Sequence, residues 1–155
     1  EAMGDLDELA SFLGLARCAV KSPEASALVL RLQQTLSRIA SEAAATPENA
    51  RAIEPRLGAP EMAELERLCA EWESSAEPPR GFVFPGASWP GAQLDAARAI
   101  ARRCERRLVA LAEARQLDNP LALAWMNRLS DLLWLMARKE DGPARPLEKE
   151  RHELE

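Results

Sequence analysis

Apolar positions along the chain recur at alternating steps of three and four, the spacing of helices that bury one face. The clearest run is Leu94, Ala97, Ala101, Cys104, Leu108 and Leu111, within the stretch from Gly91 to Gln116. A first helix spans about Asp5 to Val20, with Leu6, Leu9, Leu13, Ala16 and Val20 as its seam and Asp5, Asp7 and Glu8 in its first turn. Ser22-Pro23-Glu24 then reads as cap, first-turn proline and first-turn acid. The helix it opens carries Leu28, Leu32, Leu36, Ile39 and Ala43 to about Ala45. Thr46-Pro47-Glu48 is another start signal, but the mixed segment to Gly58 has room for only a short helix. Pro60-Glu61 opens a helix with Met62, Leu65, Leu68, Cys69 and Trp72 inward, ending near Ser75. Ser88-Trp89-Pro90 leads into the long central helix, and Asp118-Asn119-Pro120 starts the last, which runs to about Lys139. Met126, Leu129, Leu133 and Met136 form its seam, flanked by Trp125 and Trp134. The pattern predicts an all-α fold, a bundle of five helices, four long and one short. Residues 1–140 make one helical domain, and 141–155 a charged, flexible C-terminal tail.

One connection resists the helical pattern. In Glu77-Pro78-Pro79-Arg80-Gly81-Phe82-Val83-Phe84-Pro85-Gly86, proline and glycine exclude regular helix while Phe82, Val83 and Phe84 are apolar. Such a loop either plugs the bundle end or lines a pocket.

At 155 residues the chain is long enough for a real core, and Leu, Ala, Glu and Arg dominate it. The net charge of -5 disfavours non-specific nucleic-acid binding. Against that balance, five arginines fall within ten residues: Arg98, Arg102, Arg103, Arg106 and Arg107. Arg98, Arg102 and Glu105 follow steps of four and three, so they can point at one site. A row of guanidinium groups suits phosphate oxygens. It also suits a solvated face paired with acids on neighbouring helices, and the pattern alone leaves both readings open.

Cys18, Cys69 and Cys104 each lie in an apolar helical pattern with no CxxC spacing, and read as reduced core thiols of a cytosolic, cytoplasmic protein. The single histidine, His152, sits in the tail, which removes histidine-based zinc sites, Ser-His-Asp triads and Cys-His pairs. Neither GxxxxGK(S/T) nor GxGxxG occurs. No apolar run approaches a bilayer span, so no membrane partner is expected, and no signal peptide is visible. The first residue is Glu1, not Met, as in a sequence that starts inside a longer chain. What remains for chemistry is Arg98, Arg102 and Glu105 on one helix, Asp7 on another, Asn127 on a third, and the Phe82 loop.

The order Gly4-Asp5-Leu6-Asp7-Glu8-Leu9, Phe82-Val83-Phe84-Pro85-Gly86, Ala97-Arg98-x-x-x-Arg102-Arg103-x-Glu105-Arg106-Arg107 and Asn127-Arg128-Leu129-Ser130-Asp131-x-Leu133 resembles the PduO-type ATP:cob(I)alamin adenosyltransferases, or corrinoid adenosyltransferases. The resemblance spans about Glu1 to Arg138. It implies a homotrimer with active sites between subunits, and transfer of the 5′-deoxyadenosyl group of ATP to the cobalt of reduced cobalamin with release of triphosphate. Cobalt(I) is then the nucleophile, and the protein supplies position and electrostatics. By the same resemblance Arg98 and Asp7 form an intersubunit ion pair beneath the corrin. Arg102, Glu105 and Asn127 belong to the ATP site. Phe82 lies on the lower axial side of cobalamin, where it helps exclude the dimethylbenzimidazole ligand. Arg103 and Arg106 are expected in structural ion pairs. Mg2+ is expected with ATP as the ordinary companion of a polyphosphate, and a cob(II)alamin reductase and an adenosylcobalamin-dependent enzyme are expected as partners.

The chain departs from the family pattern at Ala10, where Asn is usual, at Ala87, where a second Gly follows Pro-Gly, and at Asp95, where His is usual. An acid three residues before Arg98 is expected to compete for that arginine or to tune the cobalamin pocket. Members also begin with a Thr- and Gly-rich segment (of the TRTGDxGxTGL kind) that wraps the nucleotide, and Glu1 falls just after its expected place. The competing reading is a helical trimer that binds cobalamin as a chaperone or scaffold without ATP chemistry.

Overall fold

A computed structural model describes residues 1–46, 49, 52–75 and 83–142. These form five helices: α1 (Ala2–Ala19), α2 (Pro23–Ala44), α3 (Ala59–Ser75), α4 (Trp89–Glu113) and α5 (Pro120–Asp141). Helix starts follow the sequence signals. Ser22, Ser88 and Asn119 each accept a hydrogen bond from a first-turn backbone N–H, at 3.0, 3.0 and 3.1 Å, with proline in the first turn of each helix.

All five helices are long, from 17 residues in α3 to 25 in α4. Of the short helix expected between Thr46 and Gly58, the described residues show only a 3-10 turn at Ala52, whose N–H donates to the Asn49 carbonyl at 2.9 Å. Side chains satisfy that segment instead. Glu42, buried in the last turn of α2, accepts from the Leu57 N–H at 2.7 Å, Arg56 Nε at 3.1 Å and Asn119 Nδ2 at 2.8 Å. The same Asn119 amide donates to the Leu57 carbonyl at 3.0 Å. With backbone groups met in this way, Leu57 reaches the core without a helical turn around it.

α4 packs between α1 and α5, α1 also meets α2, and α3 lies on α5. The seams are those the spacing predicts: Leu6, Leu9, Leu13 and Ala16 on α1, Leu94, Ala97, Ala101, Cys104 and Leu108 on α4, and Met126, Leu129, Leu133 and Met136 on α5 are all buried. Burial of each leucine contributes about 2 kcal/mol, so these seams dominate the fold's stability. Ala97, Ala101 and Cys104 are small enough to bring α4 close to α1, and Cys104 Sγ donates to the Asp5 carbonyl at 3.1 Å. Cys18 departs from expectation. It is exposed, because it falls two positions past Ala16 and so turns away from the buried stripe.

Beyond residue 142 the expected tail, with His152, lies outside the described residues, while α5 itself continues to Asp141. Among the described residues no helix is long and apolar enough to cross a membrane.

Candidate functional site

The five arginines of α4 separate into two rows. Arg103 and Arg107, four residues apart, turn toward α1. Arg103 pairs with Asp5 at 3.1 Å and with Glu8, and Arg107 pairs with Asp5 at 3.4 Å and Glu1 at 3.2 Å. These exposed or half-exposed pairs bind α1 to α4 and contribute modestly, about 0–1 kcal/mol each. The other row, Arg98, Arg102 and Arg106, repeats at the same step of four and has no acidic partner among the described residues. Within the chain Arg106 makes no ion pair among the described residues; Arg107 pairs with α1 beside Arg103, because the step of four from Arg103 reaches 107 and not 106.

The free row is flanked by a polar contact from α5. Asn127 Nδ2 donates to Glu105 Oε1 at 3.0 Å, which joins the two helices at the level of Arg102 and Arg106. Asn127 and Arg102 are exposed, and Glu105 and Arg98 half-buried. Below them Leu129 and Ser130 are buried, and the Ser130 hydroxyl donates to the Asn127 carbonyl at 2.8 Å, which fixes the turn that presents Asn127. Arg98, Arg102, Arg106, Glu105 and Asn127 thus lie along the α4–α5 surface: three guanidinium groups, one carboxylate and one amide. That set attracts a polyanion and offers both donors and acceptors to a polar heterocycle.

Asp7 is not brought to this surface as a partner of Arg98. It is exposed, and its side chain makes no contact among the described residues, whereas its neighbours Asp5 and Glu8 are used by Arg103. Arg98 and Asp7 are thus both left unpaired within one chain. Phe82 lies outside the described residues. Its neighbour Phe84 does not plug the bundle, being 59% exposed.

Asp95 does not take the first of its two expected roles, competition for Arg98. Its carboxylate does not reach Arg98 but lies against Arg138 of α5, Nη2 to Oδ2 at 2.5 Å, with both side chains only 8% exposed. Arg138 also meets Asp141 at 2.9 Å. Arg98 is consequently free of competition from its own helix. The sequence hid this network because Asp95 and Arg138 stand 43 positions apart and neither interrupts the apolar stripe. Another departure from the family pattern, Ala10, is half-buried and offers its carbonyl to Gln33 Nε2 at 2.9 Å, a link between α1 and α2.

The buried thiols hold no site of chemistry. Burial, reinforced by the Asp5 carboxylate, pushes the Cys104 thiol up to about 12, and burial raises Cys69 as well.

Comparison with known proteins gives the chain's relatives. The corrinoid adenosyltransferase PduO of Citrobacter freundii is 37% identical over 144 residues, 93% of this chain and 43% of that protein. The chain therefore spans less than half the length of that relative. A second corrinoid adenosyltransferase of Citrobacter freundii is 33% identical over 141 residues, 91% of this chain and 80% of that protein. Among solved structures, a variant PduO-type ATP:corrinoid adenosyltransferase from Lactobacillus reuteri, complexed with cobalamin and ATP, superposes with a TM-score of 0.78 at 28% identity, over 88% of this chain and 76% of that one. A family model described as cobalamin adenosyltransferase matches residues 1–140, and the chain belongs to that family.

Proposed function

We propose that the chain transfers the 5′-deoxyadenosyl group of ATP to the cobalt of reduced cobalamin, forming adenosylcobalamin and triphosphate. The observation that carries this reading is the unpaired row Arg98, Arg102 and Arg106 beside the Glu105–Asn127 contact. Membership of the family and the likeness to an ATP- and cobalamin-bound structure support it.

Cobalt(I) attacks the 5′ carbon of ATP, its bond to the 5′ oxygen breaks, and that oxygen leaves with the triphosphate. The protein needs no nucleophile of its own. Charge accumulates on the leaving triphosphate, so guanidinium groups held ready on a rigid helix lower the barrier without reorganising. Arg102 meets the polyphosphate, and Glu105 and Asn127 complete the ATP site. Magnesium travels with the polyphosphate, as it ordinarily does. Arg98 pairs with Asp7 of a neighbouring subunit beneath the corrin, in a homotrimer, which accounts for both being unpaired in one chain. Phe82 lies on the lower axial side and helps displace dimethylbenzimidazole, leaving a four-coordinate cobalt(II) that is easier to reduce. A cob(II)alamin reductase would supply the electron, an adenosylcobalamin-dependent enzyme would take the product, and the reaction would run in the cytoplasm.

The test is anaerobic incubation of the full gene-encoded chain with cob(I)alamin and ATP, following the absorbance change as cobalt is alkylated. The expected result is conversion that requires both ATP and protein. Arg102→Ala is expected to lower kcat/KM for ATP on the order of a hundredfold, the scale for loss of one charge-stabilising donor, with the oligomer intact. Cobalamin bound without conversion would instead favour the scaffold reading.

A further inference from the structure

The last turn of α5 consists of four consecutive residues that each bind a side chain outside that helix. Arg138 binds Asp95 of α4 at 2.5 Å. Lys139 Nζ sits 4.4 Å from the centre of the Trp72 ring of α3. Glu140 accepts at its carbonyl from Lys21 Nζ, 3.0 Å away in the α1–α2 connection. Asp141 Oδ1 accepts from the Ser88 hydroxyl at 2.8 Å, and Ser88 is the cap of α4.

Two of these contacts fall on the start of α4 and form a dry network. Asp95, Arg138 and Asp141 have side chains 8%, 8% and 6% exposed. Two carboxylates share one guanidinium, so the network carries an excess negative charge, which the amino end of α4 stabilises through the Ser88 cap. Backbone is fitted closely here too. A Cβ on Gly91 would lie 2.0 Å from Asp141 Oδ1. Buried ion networks of this kind give little net stability over apolar packing, and what they do supply is a fixed geometry.

The geometry they fix is that of α4 just before the site, since Arg98 follows Asp95 by one turn on the same flank of the helix. We propose that Asp95, Arg138, Asp141 and Gly91 form a positioning device for the cobalamin half of the site, setting the first two turns of α4 and so the aim of Arg98. Arg102, Glu105 and Asn127 lie further along and are held by the Leu108 and Leu129 regions of the core, so the ATP half is insulated from the network. The inference rests on the assignment of Arg98 to the corrin side.

Steady-state kinetics of Gly91→Ala, Asp141→Ala and the double variant test it. Each single change is expected to raise KM for cobalamin on the order of tenfold while KM for ATP stays within about twofold, as a displacement confined to one half of a site would do. The double variant is expected to fall between Asp141→Ala and the sum of the two single changes, because removing the carboxylate relieves the 2.0 Å approach and leaves the new methyl only Ser88 Oγ, at 2.9 Å, to displace. Should Gly91→Ala fail to fold, Asp141→Asn, which keeps the acceptor for Ser88 and loses the charge facing Arg138, is expected to show the same one-sided change in smaller measure. Equal changes in both KM values, or a lowered Tm with both unchanged, would overturn the positioning role in an otherwise active enzyme. A wild-type chain that neither binds nor alkylates cobalamin would overturn the functional reading and this inference with it.

Discussion

Arg103 and Arg106 share a helix and a side chain, and their surroundings assign them opposite tasks. Arg103 sits above Asp5 and Glu8 and holds α1 in place, while Arg106 continues the unpaired line of Arg98 and Arg102. The motif proposes Arg98 and Arg102 for the site, but it could not say which of the remaining arginines α1 would neutralise, since that depends on the rotation of one helix about another. Cysteines show the same limit. All three read as core thiols, yet Cys18 is exposed while Cys69 and Cys104 are buried. With the Cys104 thiol pushed up to about 12, its thiolate at pH 8 is about one part in ten thousand. Alkylation of the native protein at pH 8 is expected to modify Cys18 alone, and all three only after unfolding, as read by peptide mass spectrometry. Labelling of Cys104 at the rate of Cys18 would mean that α1 opens readily from α4.

At the scale of the helix, the capped starts were legible, and so were the ends of α1, α2 and α3, each within one residue of its expected place. The start of α1 and the end of α4 were not. Ser22-Pro23, Ser88-Trp89-Pro90 and Asn119-Pro120 each combine an acceptor side chain with a residue pre-set for the first turn, and each begins a helix where it stands. α1 begins at Ala2, ahead of the acidic turn that suggested Asp5, because Glu1 provides no side-chain cap to mark the place. α4 stops at Glu113, short of Gln116, with no glycine to announce it. The Gln116 N–H reaches the Leu111 carbonyl at 2.8 Å and the Arg115 N–H that of Ala112 at 3.0 Å, a Schellman closure with Arg115 in the left-handed region at φ 58°. A non-glycine residue there costs about 1 kcal/mol, so Arg115→Gly is expected to raise Tm by roughly 2–4 °C. A Tm that falls or stays constant in a thermal melt would show that the closure carries no strain. The Glu42 and Arg138 networks were illegible for another reason. Their partners are far apart in sequence, and a lone acid in a helical pattern looks solvated until the neighbouring helices are placed.

At the scale of the whole molecule, one chain accounts for its internal charges and leaves a complementary set over. On α1 the acids Asp5 and Glu8 are consumed by Arg103, and Asp7 is left; on α4 Arg103 and Arg107 are consumed, and Arg98 is left with Arg102 and Arg106. If Asp7 of one subunit meets Arg98 of the next, the pair has a signature that an intrachain pair lacks. Arg98→Ala and Asp7→Ala chains, each assembled alone, contain no intact pair. Co-assembled in equal amounts, an Arg98→Ala chain still supplies Asp7 and its Asp7→Ala neighbour still supplies Arg98. Random assembly of a cyclic trimer then restores about a quarter of the interfaces. The expected outcome is that each variant alone loses most of its cob(I)alamin alkylation, and that the mixed assembly recovers about a quarter of wild-type turnover per subunit. An active mixture requires that the two residues act across a subunit boundary. A mixture no better than its components would place the pair within one chain, or remove it from the site, and would leave the half-buried Arg98 to act on substrate directly.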